Sequence, residues 1–180
     1  PSAACTADAR AFSTTQFQPP ITNTPKGKTL SNIEQKGFVL WFTGLSGAGK
    51  TTIADIVEAR LRDRGSKIEV LAGDVVRTHL SKGLGFSTEQ RSENLRRGAE
   101  VAKLLNDSGQ FCIAAFCAPE EAMRQKFIEI VGRHRVVHVH LGASVAACRA
   151  RDVTGRYAAA EKGQIASFPG VDAEYQTPLA

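Results

Sequence analysis

The sequence predicts an α/β fold, a doubly wound parallel sheet flanked by helices. Three observations predict it. Short apolar runs alternate with helical patterns from Phe38 to Arg151, the order expected when parallel strands are joined by crossover helices. The clearest run, Phe38 to Phe42, is continuously apolar rather than alternating, as suits a strand buried on both faces. The residues able to do chemistry fall just after the runs, where sheets of this kind bind ligands.

The elements follow in order. Phe38-Val39-Leu40-Trp41-Phe42 is the first strand, and a glycine-rich turn follows it. Lys50 to Arg64 then reads as a helix, with Ile53, Ile56, Val57 and Leu61 on one face and Gly65 as its stop. Ile68 to Leu71 is a second strand, and a helical segment is expected over Val75 to Leu80. Ser87 followed by Gln90 starts a helix with a capping box, running toward Asn106 and ended by Gly109. Phe111 to Phe116 makes a third strand, and Pro119, Glu120 and Glu121 suit the first turn of the next helix. Val136 to Leu141 is a fourth strand, and Ala143 to Arg151 is helical. Residues 1–36 are rich in Ser, Thr, Ala, Pro and Gln without periodicity and read as a flexible leader or linker, which leaves 37–180 as the folded domain.

Composition narrows the class. A chain of 180 residues suits one domain with a tail, and 42% hydrophobic, 23% charged and 7% aromatic residues are ordinary for an α/β enzyme. The net charge of +5 suits an anionic ligand but is too mild to argue for nucleic acid. No apolar run reaches the ~18 residues of a membrane span, and the N-terminus has no basic start followed by an apolar core. Cys5, Cys112, Cys117 and Cys148 form no C-x-x-C pair, and reduced thiols in a cytoplasmic protein are expected. His138 and His140 alternate on the fourth strand and share a face; two solvent-edge histidines outweigh a metal pair.

Gly44-Leu45-Ser46-Gly47-Ala48-Gly49-Lys50-Thr51 fits G-x-x-x-x-G-K-[ST], between a strand and a helix as that pattern requires. Such a P-loop turns successive N–H groups toward phosphate oxygens, and the helix N-terminus adds positive potential. Gly44, Ser46, Gly47, Ala48, Gly49, Lys50, Thr51 and Thr52 are therefore the expected ATP-binding set. Lys50 is placed to reach the β/γ-phosphates, and the Thr51 hydroxyl to ligate Mg²⁺. The motif specifies a nucleoside triphosphate and leaves the reaction open.

The second strand ends at Ala72-Gly73-Asp74. An Asp there can accept a proton from an attacking hydroxyl or hold a Mg²⁺-bound water; it can also cap the helix that follows. The third strand ends without an acid, which puts more weight on Asp74. Arg77, Arg91 and Asn94 come next, the last two three apart on one helix face. They suit an anionic, hydrogen-bonding ligand, although a solvated basic face reads equally well from spacing alone.

At this point the chain resembles the adenylylsulfate kinase (APS kinase) family. The likeness rests on F-T-G-L-S-G-A-G-K-T-T at 42–52, G-D-V-V-R at 73–77, L-S-K-G-L-G-F-S at 80–87 and R-S-E-N-L-R-R at 91–97. It continues through G-A-E-V-A-K-L-L-N-D-S-G at 98–109, R-D-V-T-G-R-Y at 151–157 and G-Q-I-A-S-F-P-G-V-D at 163–172. The resemblance implies a P-loop kinase that transfers the γ-phosphate of Mg-ATP to the 3′-hydroxyl of adenosine 5′-phosphosulfate (APS). It implies that Asp74 activates that hydroxyl, with Lys50 as its catalytic companion on ATP. Arg77, Arg91 and Asn94 would hold the phosphosulfate and ribose. Phe86 and Phe168 would sandwich the adenine, with Ser167, Cys117 and Ala118 beside APS. Residues 151–172 would form a mobile lid poor in strong core residues, and Arg151 would touch the ATP base. A homodimer or larger assembly, and fusion to or association with ATP sulfurylase, are implied partners; nucleic acid and membrane are not.

The chain departs from the family in three places. Ala118 stands where the family has a serine, so direct in-line transfer is the expected route. Thr154, Ala158 and Ala159 stand where the family's lid carries basic residues, which predicts a higher KM. After Pro178 the family continues with a strand and a helix, which implies that a C-terminal element is missing. Two other functions compete: a regulatory pseudo-kinase domain, disfavoured by intact Lys50, Thr51 and Asp74, and a kinase for another small hydroxyl substrate such as a sugar acid, disfavoured by Phe86 and Phe168.

Overall fold

Four parallel strands, β1 (Val39–Thr43), β2 (Ile68–Ala72), β3 (Phe111–Ala115) and β4 (Val136–His140), make one sheet in the order β2-β3-β1-β4. The computed structural model describes residues 37–178; the expectations for the leader and Cys5 lie outside the described residues. Helices α1 (Lys50–Asp63), α2 (Gly73–Thr78), α3 (Thr88–Asp107), α4 (Glu121–Val131), α5 (Val145–Ala150) and α6 (Arg156–Glu161) join and flank the strands.

Strand side chains alternate between faces, and each face has its own core. Val39, Trp41, Cys112 and Ala114 pack with Leu95, Ala99 and Ala102 of α3 and Phe127 of α4. Phe42 and Ile113 pack with Ala54, Val57 and Leu61 of α1 on the opposite face. Trp41 lies almost parallel to Phe127, with ring centroids 4.0 Å apart. Sheet and helices thus follow the sequence pattern closely, and α3 opens on the expected capping box between Ser87 and Gln90.

Three expectations are corrected. Asp74 does not cap the helix that follows β2: that helix starts at Gly73 with Ala72 as its cap, so Asp74 sits in the first turn with its side chain exposed. His138 and His140 are not solvent-edge residues. His138 shares a 2.8 Å hydrogen bond with Thr43 and stacks on Trp41, while His140 stacks on Tyr175. Burial lowers the pKa of both rings, with Arg124 adding to the effect. Lastly, residues 151–172 are not poor in core. Tyr157, Ala160 and Phe168 are buried with Leu45, Ala48 and Cys148, and α6 forms where no helix was expected. The back of the P-loop covers these three, whereas Val153 of the same stretch is 97% exposed.

Candidate active site

The P-loop leaves β1 at Gly44 and enters α1 at Lys50. Gly44, Gly47 and Gly49 all have positive φ, at 137°, 77° and 95°, a region costly for residues with a Cβ. A Cβ on Gly47 would lie 2.7 Å from the Cys148 carbonyl oxygen, so space as well as φ excludes a side chain there. Among the described residues, the backbone N–H groups of Ser46, Gly47, Gly49, Lys50 and Thr51 have no backbone partner. That is a row of donors such as phosphate oxygens require. The Lys50 ammonium donates to the carbonyls of Gly44 and Leu45 at 3.0 and 2.7 Å, and burial lowers its pKa.

One cavity runs from this cradle across the C-terminal ends of β2 and β3. Ser46, Lys50 and Thr51 line it together with Asp74, Arg77, Phe86, Arg91, Asn94, Cys117, Ala118 and Phe168. Gly44, Gly47, Ala48, Gly49, Thr52 and Ser167 do not line it, and neither does Arg151, which is exposed at the C-terminal end of α5.

Local bonds hold the cavity's side chains in place. Arg77 donates to the carbonyls of Leu84 and Gly85, at 3.2 and 2.6 Å, with its guanidinium 4.6 Å from the centre of the Phe86 ring. Arg91 donates to Phe86 O at 2.7 Å and to Ser167 O at 3.2 Å, tying α3 to the lid segment. The Asn94 amide donates to Gly73 O at 3.4 Å, and its Oδ1 is buried without a partner among the described residues. An orphaned acceptor of this kind is costly unless a ligand donor meets it.

Bonds to the P-loop and within the segment itself order the lid segment. Tyr157 donates its hydroxyl to Ser46 O at 3.0 Å and packs edge-on against Phe168, with centroids 5.0 Å apart. Asp172 accepts the N–H groups of Ser167 and Phe168, and these bonds hold its carboxyl below the ordinary range. Ser167 itself has φ 56°.

Beyond β3, Ala118 has φ 42°, and its carbonyl accepts Arg124 Nη1 at 2.8 Å. Arg124 is fully buried and also bonds Glu121 and the Gln176 carbonyl. Tyr175 donates to Cys117 O at 3.0 Å. Burial pushes the Cys117 thiol up, against the opposing pull of Lys50 and Arg91, so it is no ready nucleophile.

Sequence reasoning missed Arg156 and Tyr157. Arg156 lines the cavity and pairs with Asp74, its Nη1 lying 3.1 and 3.2 Å from the two carboxylate oxygens. Its signal was available: a cation two positions past Thr154, inside the segment R-D-V-T-G-R-Y. Among the described residues no cluster of three His, Cys, Asp or Glu side chains is arranged to hold a metal ion. No helix among them is long and apolar enough to cross a membrane.

The arrangement matches known proteins over the same stretch. The sequence model of adenylylsulphate kinase matches residues 36–180. An adenylyl-sulfate kinase of Vibrio vulnificus is 45% identical over 146 residues, 81% of this chain and 70% of its own. A bifunctional enzyme CysN/CysC of Rhodopirellula baltica is 44% identical over 144 residues; the match takes in 80% of this chain but only 22% of that protein. Among solved structures, the Mycobacterium tuberculosis APS kinase CysC in complex with AMPPNP and APS superimposes with a TM-score of 0.76. It is 38% identical, and the match covers 79% of this chain and 84% of that one. The chain belongs to the adenylylsulphate kinase family.

Proposed function

We propose that the chain is an ATP:adenylylsulfate 3′-phosphotransferase, making 3′-phosphoadenosine 5′-phosphosulfate from APS and ATP in sulfate assimilation. One observation carries this reading. The P-loop residues Ser46, Lys50 and Thr51, the carboxylate Asp74, and the aromatic-and-arginine wall of Phe86, Phe168, Arg77 and Arg91 all line a single cavity. The solved relative bound to AMPPNP and APS supports the same pairing of ligands.

In the proposed reaction the 3′-oxygen of APS attacks the γ-phosphorus of ATP. A new P–O bond forms, the bond from that phosphorus to the β,γ-bridging oxygen breaks, and ADP leaves. Asp74 takes the hydroxyl proton, and Lys50 faces the phosphate oxygens where negative charge grows. Arg77 and Arg91 carry positive charge for the phosphosulfate, and Asn94 Oδ1 supplies an acceptor for a ribose hydroxyl. Phe86 and Phe168 offer flat faces for the adenine. With Ala118 in place of a serine, transfer is direct.

The Thr51 hydroxyl and the Asp74 carboxylate are oxygen donors lining the same cavity, a set that fits Mg²⁺, which takes few protein ligands and keeps water and phosphate oxygens. Thr51 would hold it directly and Asp74 through water, and the ion would neutralise phosphate charge. A homodimer or larger assembly, and fusion to or association with ATP sulfurylase, extend the reading; the bifunctional relative, of whose length the match takes in 22%, supports the fusion.

The test is direct. Protein, Mg-ATP and APS are mixed, and 3′-phosphorylated product and ADP are measured. ADP without that product overturns the assignment. A sugar-acid kinase would instead turn over gluconate-like acceptors and ignore APS.

A further inference from the structure

Arg156 is a lid cation that the reaction as written leaves without a task. It opens α6, and only its Nη1 engages Asp74, at 3.1 and 3.2 Å from the two oxygens. Among the described residues Nε and Nη2 have no hydrogen-bond partner. A guanidinium presents five N–H donors in a planar fork suited to phosphate, so most of this one is uncommitted. Stapling the lid does not explain it: both side chains of the pair are partly exposed, 31% for Arg156 and 64% for Asp74, and such pairs contribute little to stability.

The surroundings point to an anion. Arg156 lines the same cavity as Lys50, Arg77 and Arg91, and among the described residues Asp74 is the only acid that lines it. Burial is the main cause that lowers the pKa of each of those three cations, and repulsion from Arg156 adds to it. Four cations around one carboxylate are balanced by a ligand carrying several negative charges. Of the lid's cations, Arg151, Arg156 and Lys162, Arg156 is the one that reaches the cavity, and it does so in contact with Asp74, the base of the proposed reaction, and near enough to Lys50 for their charges to repel.

We infer that Arg156 is a phosphate-binding residue of the lid, which steadies Asp74 through one nitrogen and gives the rest of its guanidinium to the phosphoryl group in transfer. The inference rests on the kinase reading above. It assigns the lid an arginine in cis at the point where charge spreads over the phosphoryl oxygens. It also supplies a cation in a lid whose positions 154, 158 and 159 are Thr and Ala.

The test compares AMPPNP, which keeps a γ-phosphoryl group, with ADP, which lacks one, by calorimetric titration of the full chain with Mg²⁺. Arg156→Ala is expected to weaken AMPPNP by about 10-fold or more while ADP changes by less than about 2-fold, since charge-assisted hydrogen bonds are lost from one ligand only. Arg156→Lys keeps the charge, loses the fork and falls between. With APS as acceptor, kcat of Arg156→Ala falls by ~10²-fold at saturating substrates. Equal losses for the two nucleotides, or an unchanged AMPPNP affinity, overturn the inference. Should Arg156→Ala fail to fold, Arg156→Lys reads the same ratio. Wild-type turnover of APS is measured in the same preparations: its absence sinks the kinase reading, whereas the nucleotide ratio needs no APS and tests Arg156 alone.

Discussion

Replacing Arg124 by methionine tests how the loop at 117–119 is held. Arg124 is 1% exposed and donates to Ala118 O at 2.8 Å and to Gln176 O at 2.7 Å, besides pairing with Glu121. Methionine fills much of the same volume but donates nothing. Two carbonyls then lose charged donors, at about 1–3 kcal/mol each. Glu121 is 32% exposed and turns to water, so its loss adds little. The expected cost is about 2–5 kcal/mol, which for a domain of this size is a fall in Tm of about 5–15 °C. The change also releases Ala118 from φ 42°, a conformation that residues with a Cβ avoid. The loop at 117–119 then relaxes, and KM for APS rises by about 10-fold while ATP affinity changes less. Thermal unfolding followed by circular dichroism, with initial rates over a matrix of ATP and APS, reads both effects. Glu121→Gln is the control: it weakens the exposed ion pair, leaves both carbonyl bonds, and should cost under about 1 kcal/mol. A Tm loss under about 2 °C for Arg124→Met would refute the claim that those bonds hold the loop.

Other expectations follow from the same geometry. Asp74→Asn should retain AMPPNP binding and lower kcat by ~10²-fold or more; full activity removes Asp74 as the base. Gly47→Ala places a methyl 2.7 Å from Cys148 O at φ 77°, so ATP affinity should fall by about 10-fold or more, as fluorescence titration with a labelled nucleotide would show. Phe168→Ala should cost about 3–5 kcal/mol from the buried Tyr157–Phe168 cluster and raise KM for APS; a stability loss with unchanged KM would leave Phe168 a packing residue only. Burial lowers the pKa of His138 from 6.5, so the unfolded chain takes up the proton first as pH falls. Stability contributed by the neutral ring is therefore full above about pH 6.5 and lost as pH falls toward the folded value. Urea unfolding between pH 7.5 and 5 should show this slope, and His138→Asn should flatten it.

Local patterns were legible because local interactions make them. The buried strands appear as apolar runs, and the Ser87–Gln90 cap is a reciprocal bond between residues three apart. The P-loop needs glycines at fixed offsets, and they are visible as such. The α2 boundary was misread because Asp74 has the chemistry of a cap, while the backbone had already entered the helix at Gly73. The lid was read as core-poor because Tyr157, Ala160 and Phe168 make no periodic stripe; their burial comes from Leu45, Ala48 and Cys148, far off in sequence. The histidines were read as solvent-edge because the groups that meet them, Trp41 and Thr43 for His138 and Tyr175 for His140, come from other parts of the chain.

By itself the sequence determined a parallel α/β sheet, a phosphate cradle after its first strand, and the candidate base and arginines that follow the second. These depend on hydrogen bonds and periodic burial between residues near one another in the chain. Only the tertiary structure decided that Arg156 lies on Asp74, 82 positions away, that Arg91 reaches Ser167 O from 76 positions away, and that Arg151 stays outside the cavity. The physical reason is that such meetings depend on how crossover helices pack on the sheet and where the lid's few apolar side chains find cover, and no local run of residues encodes either.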